Sequence, residues 1–182
     1  AMEDQVFGKF VHDIMLSEIA PAIPAKVDAA EAERFGLQVL DRFRNPFIKH
    51  QWISITMQYT SKMKMRVAPV LLKYFADYSK TPRHIALGFA AYLLFMKAVT
   101  WESDGYKGEW NGKPYPINDD KAVYFFEQWK EYEADELVQQ VLSDSDLWGA
   151  DLSALPGFVK MVQNNLQHLL KEAPVTLKNI FQ

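Results

Sequence analysis

The run from Ile85 to Met96 constrains this chain most. It is about 12 residues of almost unbroken apolar character, closed by Lys97. A membrane-spanning helix needs roughly 20 such residues, so the run reads as a helix buried on most sides inside a globular core. Ser79-Lys80-Thr81-Pro82 opens it well: Thr81 suits the N-cap and Pro82 the first helical position, and the pattern continues to about Thr100. With 182 residues and 49% hydrophobic side chains, the chain can build a substantial core around that helix, which argues against a disordered tail or a disulfide-stapled miniprotein.

The remaining spacing is also helical. Val6, Phe10, Ile14, Met15 and Ile19 fall on one helix face, which Pro21 and Pro24 terminate. A second helix begins near Asp28, where Asp28 and Glu31 have the spacing of a capping box, and runs through Phe35, Leu37, Val39, Leu40 and Phe43 to Asn45-Pro46. A third is expected from about Ile48 to Met65, and a fourth from Val70 to Tyr78 with Pro69 at its start. After the buried helix come helices at about Lys121–Ala134 and Asp135–Leu142, and Leu155-Pro156-Gly157 opens a last one reaching Glu172. The expected fold is all-α, a single domain of about seven to nine helices over residues 1–182, without internal repeat or linker.

One stretch departs from this. Between Glu102 and Asp120 the chain carries Gly105, Gly108, Gly112, Pro114 and Pro116, with the tight-turn dipeptide Asn111-Gly112. It is a long loop with room for two short strands, and any strands are expected between Gly105 and Ile117. So long an irregular segment in a compact helical domain is either an exposed excursion or a functional one.

Composition removes several function classes. A formal net charge of -3 supplies no general attraction for nucleic acid. Zero cysteines remove thiol nucleophiles, disulfides, zinc ribbons and iron–sulfur clusters. No glycine-rich phosphate-binding turn and no nucleophile elbow occur, and His12, His50, His84 and His168 lack metal-binding spacing, so no metal site and no cofactor-binding residue are expected in this chain. The N-terminus has no signal-peptide character.

Candidate chemistry concentrates between Arg42 and Arg66. Arg44, Lys49, Lys62, Lys64 and Arg66 make this the most cationic region, and Lys62 and Arg66, four apart, share a helix face. Fixed cations suit an anionic substrate, while a solvated basic face is the plainer alternative. Asn45, ahead of Pro46, either caps the next helix or presents its amide to a ligand. His50, one turn on, is a pocket residue or a satisfied core histidine.

Arg42-Phe43-Arg44-Asn45-Pro46-Phe47-Ile48-Lys49-His50, followed by Lys62 and Arg66, resembles the C-terminal domain of the polyol-specific long-chain dehydrogenases, the mannitol dehydrogenase family. The segment from Gly108 to Asp120, Asp146-Leu147-Trp148 and Leu155-Pro156-Gly157 are similar to its hexuronate-reducing branch, and the likeness extends from about Phe10 to Leu170. The resemblance implies a cytoplasmic, NAD-dependent oxidoreductase of hexuronate breakdown that interconverts D-tagaturonate and D-altronate by hydride transfer. A related fructuronate, mannonate or polyol dehydrogenase, and a free-standing helical interaction module, are the alternatives.

It further implies a Rossmann-like NAD-binding domain that is not in this chain, and a catalytic Lys-x-x-x-x-Asn-x-x-His motif upstream of it. No catalytic residue is therefore expected here, no NAD is expected to bind this chain alone, and the isolated chain is expected to be inactive. Lys160, Asn165 and His168 fit that motif literally but lie in the last helix, far from the family's position. The partner is a small hexuronate at the interface with the other domain, with Lys62, Arg66, His50 and Asn45 as substrate-binding candidates; no nucleic acid and no membrane are expected. Two departures matter. Gln58-Tyr59-Thr60-Ser61-Lys62 stands where relatives carry Asp-Gly-Ser-x-Lys, and Ser54 stands where polyol-oxidising relatives often have arginine. The second argues against a polyol, and the retained Lys62 and Arg66 are compatible with an acid sugar.

Overall fold

The computed structural model describes residues 4–23, 27–45, 47, 52–103 and 105–171. Ten α-helical segments appear among them: α1 (Gln5–Asp13), α2 (Ala29–Phe43), α3 (Trp52–Ile55), α4 (Tyr59–Lys62), α5 (Ala68–Tyr78), α6 (Arg83–Phe95), α7 (Ala122–Glu131), α8 (Ala134–Ser143), α9 (Ser145–Trp148) and α10 (Phe158–Lys171). A π-helical stretch, Met63–Val67, joins α4 to α5 without a break, so the fold is mostly helical, as expected. The apolar run is indeed central. Phe89 of α6 meets Phe158 of α10 edge-on at 5.3 Å and Trp148 of α9 at 5.4 Å, while Tyr92 meets Phe125 of α7 at 5.4 Å. The facing stripe of α10, Phe158, Val162, Leu166 and Leu169, repeats every three or four residues and is buried along its length.

The helix termini and interruptions show what the spacing alone left open. The hydroxyl of Thr81 donates to the Pro156 carbonyl instead of capping α6. The cap comes from 66 residues away: Glu18, buried, accepts from the His84 N–H at 2.9 Å and the Ile85 N–H at 2.8 Å, and its Oε1 lies 2.6 Å from His84 Nδ1. A carboxylate at a helix N-terminus satisfies orphan donors and faces the positive end of the dipole. Asp28 caps α2 by accepting from the Ala30 N–H.

Two π turns interrupt the helices, Ile14–Ile19 after α1 and Met63–Val67 before α5, and each runs directly into an Ala-Pro pair, Ala20-Pro21 and Ala68-Pro69. The Ala20 N–H reaches back five residues to the Met15 carbonyl, and the Ala68 N–H likewise to Met63. A proline ring crowds the carbonyl four residues before it, and widening the helix there relieves the clash. The third expected helix is broken at Gln58, which cuts off α3 as a separate turn, and its end from residue 59 is continuous with the fourth to residue 78. Its expected start near Ile48 falls on residues 48–51, outside those described.

The glycine-rich loop folds into a three-stranded antiparallel sheet of β1 (Thr100–Glu102), β2 (Gly105–Trp110) and β3 (Lys113–Pro116), in that order. β1 corrects the expectation that strands begin at Gly105. α6 ends at Phe95, short of Thr100, because residues beyond Met96 turn out of the helix to pair with β2. Asn111 and Gly112, at φ 51° and 72°, form the two-residue turn joining β2 to β3.

Candidate functional site

A cavity of about 630 Å³ lies where α3, α4, the second half of α6, the β2–β3 hairpin and the end of α10 converge. Its walls are nearly all carbon. Among the lining residues, Lys62, Thr56, Tyr59, Trp110 and Tyr115 are the ones that carry polar groups.

The segment carrying Lys62 is fastened from across the fold. Gln58 takes a left-handed backbone, φ 51° and ψ 49°, which separates α3 from α4. Its N–H donates to the Asn118 carbonyl at 2.8 Å and its side-chain amide to Asp120. Asp119 accepts from the Thr60 N–H and hydroxyl, both at 2.7 Å, and Thr60 Oγ1 is also 2.7 Å from the buried Tyr92 hydroxyl on α6. Burial is the main reason the Tyr92 hydroxyl resists ionisation far beyond its ordinary range. This chain of short bonds sets where α4 starts, and hence where Lys62 emerges.

Lys62 Nζ donates to the Ile55 carbonyl at 2.7 Å, at the end of the single turn α3. An ammonium has three donors, and Lys62 forms no ion pair with any described residue. Around it the tyrosines stay neutral: burial raises the Tyr59 hydroxyl and pushes Tyr115 up to about 12. Tyr115 donates to the Phe95 carbonyl and stacks on the Phe95 ring at 4.9 Å. Tyr59 meets the Tyr92 and Phe95 rings edge-on. The arrangement can receive a small anion with an apolar or C–H-rich body.

Of the sequence candidates, Lys62 alone among the described residues lines this cavity. Arg66, inside the second π turn, is exposed and not in the lining. Asn45 is exposed, and its Oδ1 accepts from the Phe47 N–H at 3.0 Å. His50 lies outside the described residues. Lys160 and His168 are both exposed on α10. Single-residue reasoning missed Tyr59, Trp110 and Tyr115, although Asn111-Gly112 marked the hairpin that carries two of them.

The family model for the mannitol dehydrogenase C-terminal domain matches residues 1–170. The chain belongs to that family. Curated relatives are altronate oxidoreductases. The Yersinia pestis protein is 33% identical over 178 residues, 93% of this chain and 34% of its own length. The Escherichia coli O1:K1 protein is 34% identical over 179 residues, 94% of this chain and 35% of its own length. The chain thus spans about a third of the length of these relatives. The family implies a nicotinamide cofactor, but the described residues of this chain do not fit one. A dinucleotide cradle needs a glycine turn leading from a parallel strand into a helix, whereas the three strands among the described residues are antiparallel neighbours. No described helix is long and apolar enough to cross a membrane.

Proposed function

We propose that this chain is the substrate-binding domain of an NAD-dependent tagaturonate reductase, with a Rossmann-like domain supplied by the rest of a longer polypeptide. The reaction passes hydride from NADH to the keto carbon of D-tagaturonate and a proton to its oxygen, giving D-altronate and NAD. The observation that carries the reading is Lys62: a half-buried residue at the rim of a largely apolar cavity, its ammonium held by one backbone carbonyl and in no ion pair with a described carboxylate. A sugar acid entering between two domains sheds water, and a placed ammonium offsets that cost for its carboxylate. The relatives are named altronate oxidoreductases, which supports altronate as one member of that pair. On this reading Asn45, His50 and Arg66 are substrate-binding candidates from this chain, the other domain supplies catalytic groups and NAD contacts, and the enzyme works in the cytoplasm.

The test uses the full-length protein. Lys62→Met is expected to lower kcat/KM for D-tagaturonate at least about thirtyfold, roughly 2 kcal/mol of transition-state stabilisation, with the NADH dissociation constant moving less than about threefold. An unchanged kcat/KM in a folded variant returns Lys62 to a solvated face. Assaying D-fructuronate in parallel separates the two ketohexuronate reductases. The isolated chain should bind no NADH by calorimetry at micromolar affinity.

A further inference from the structure

Apart from its cation, the cavity has two unlike sides. One is aliphatic, from Ile53, Ile55, Ala91, Leu94 and Leu169. The other is aromatic, and the sheet builds it. Tyr115 pairs with Gly108 and Lys113 with Trp110, so Trp110 and Tyr115 project from one face of the hairpin. Gly108 is required there: a Cβ on it would sit 2.3 Å from the Tyr115 ring, so only glycine lets that ring lie across the strand. Tyr115 is locked between Gly108 and Phe95, with its hydroxyl spent on the Phe95 carbonyl.

Trp110 is used differently. Its position is fixed by the two-residue turn beside it, yet the side chain is 42% exposed and its indole N–H bonds to no described residue. The tryptophans that serve the core do the opposite: Trp148 donates to the Val141 carbonyl and Trp129 to the Leu93 carbonyl. A large ring on a rigid mount, in a cavity wall and without a partner of its own, is placed to meet a ligand.

We propose that Trp110 is a specificity-determining residue, the surface on which the C–H face of the bound sugar acid stacks. The inference rests on the reading of the cavity given above. With the carboxylate on Lys62, one end of the ligand is anchored, and the wall decides which side of each carbon faces apolar surface. A C–H turned to the indole gains contact, whereas a hydroxyl turned to it loses water and finds no acceptor. D-tagaturonate and D-fructuronate differ in the configuration of a single hydroxyl-bearing carbon, so the wall discriminates between them.

The experiment compares kcat/KM for the two ketohexuronates in the full-length protein and in Trp110→Phe and Trp110→Leu, with NADH affinity and melting temperature read alongside. The preference ratio is expected to fall at least about tenfold in Trp110→Leu, which keeps apolar bulk but loses the ring, and to stay within about threefold in Trp110→Phe. NADH affinity should not move. A ratio unchanged in Trp110→Leu, or an equal loss for both substrates, overturns the role of Trp110 while leaving the ketohexuronate reading intact. A wild-type protein that reduces neither compound overturns both.

Discussion

Glu18 lies within one π turn and Lys62 immediately before the other, each turn followed by Ala-Pro, and the fold treats the two side chains in opposite ways. Glu18, 4% exposed, is closed on every side: its two oxygens take the first N–H groups of α6 and the His84 ring. Lys62 meets one carbonyl at the rim of a cavity. Desolvation without compensation is costly, so a charge the structure leaves half-answered marks where a ligand completes the set, and a fully answered one marks architecture.

Predictions that would break this contrast run from large to small. Glu18→Ala strips the cap from α6 and leaves buried donors unpaired. It should lower the unfolding free energy by about 3–5 kcal/mol in urea titrations, and a loss below about 1 kcal/mol would put Glu18 in the same class as Lys62. Lys62→Met should do the converse, costing activity as above while changing stability by less than about 1 kcal/mol. Thr60→Val severs the link from Asp119 to Tyr92 and should cost about 1–2 kcal/mol, with the activity of the full-length protein falling as α4 shifts.

Alkaline pH offers a gentler probe. Burial holds the Tyr115 hydroxyl protonated to about 12 in the folded chain, while the unfolded chain ionises near its ordinary value of about 10. The unfolded state then binds fewer protons, so this contribution is intact below pH 10 and is lost as pH rises from 10 to 12. The part of the tyrosinate absorbance that is lost in Tyr115→Phe should therefore appear together with unfolding. Arg66→Met should have the smallest effect, a change in kcat/KM under about threefold, because the side chain is exposed outside the cavity lining.

Much of the fold could be read from local pattern. The stripe on α10, the buried α6, the Asp28 cap and the Asn111-Gly112 turn all depend on residues a few positions apart. What escaped was non-local. The cap of α6 comes from 66 residues upstream, and the start of α4 is set by Asp119, 59 residues downstream. β1 exists only because β2 is there to pair with it. The candidate site divides in the same way: the charge of Lys62 and its place on a helix were legible, but the aromatic wall opposite required a hairpin to be folded over α6. Arg66 shows the limit of spacing arguments, since a four-residue interval does not carry both cations into one cavity.

The second π turn has a consequence for aim. It stands between Lys62, which faces the cavity, and Ala68, Leu71 and Phe75, which anchor α5 in the core. An α-helix turns by about 100° per residue, and a π turn absorbs an extra residue without ending the helix. Met63–Val67 therefore works as a phase adjuster. Shortening it by one residue would leave α5 seated and deliver position 62 about a quarter turn away, at the cost of the buried places of Thr60 and Met63, so the length of this turn fixes the direction of the cation.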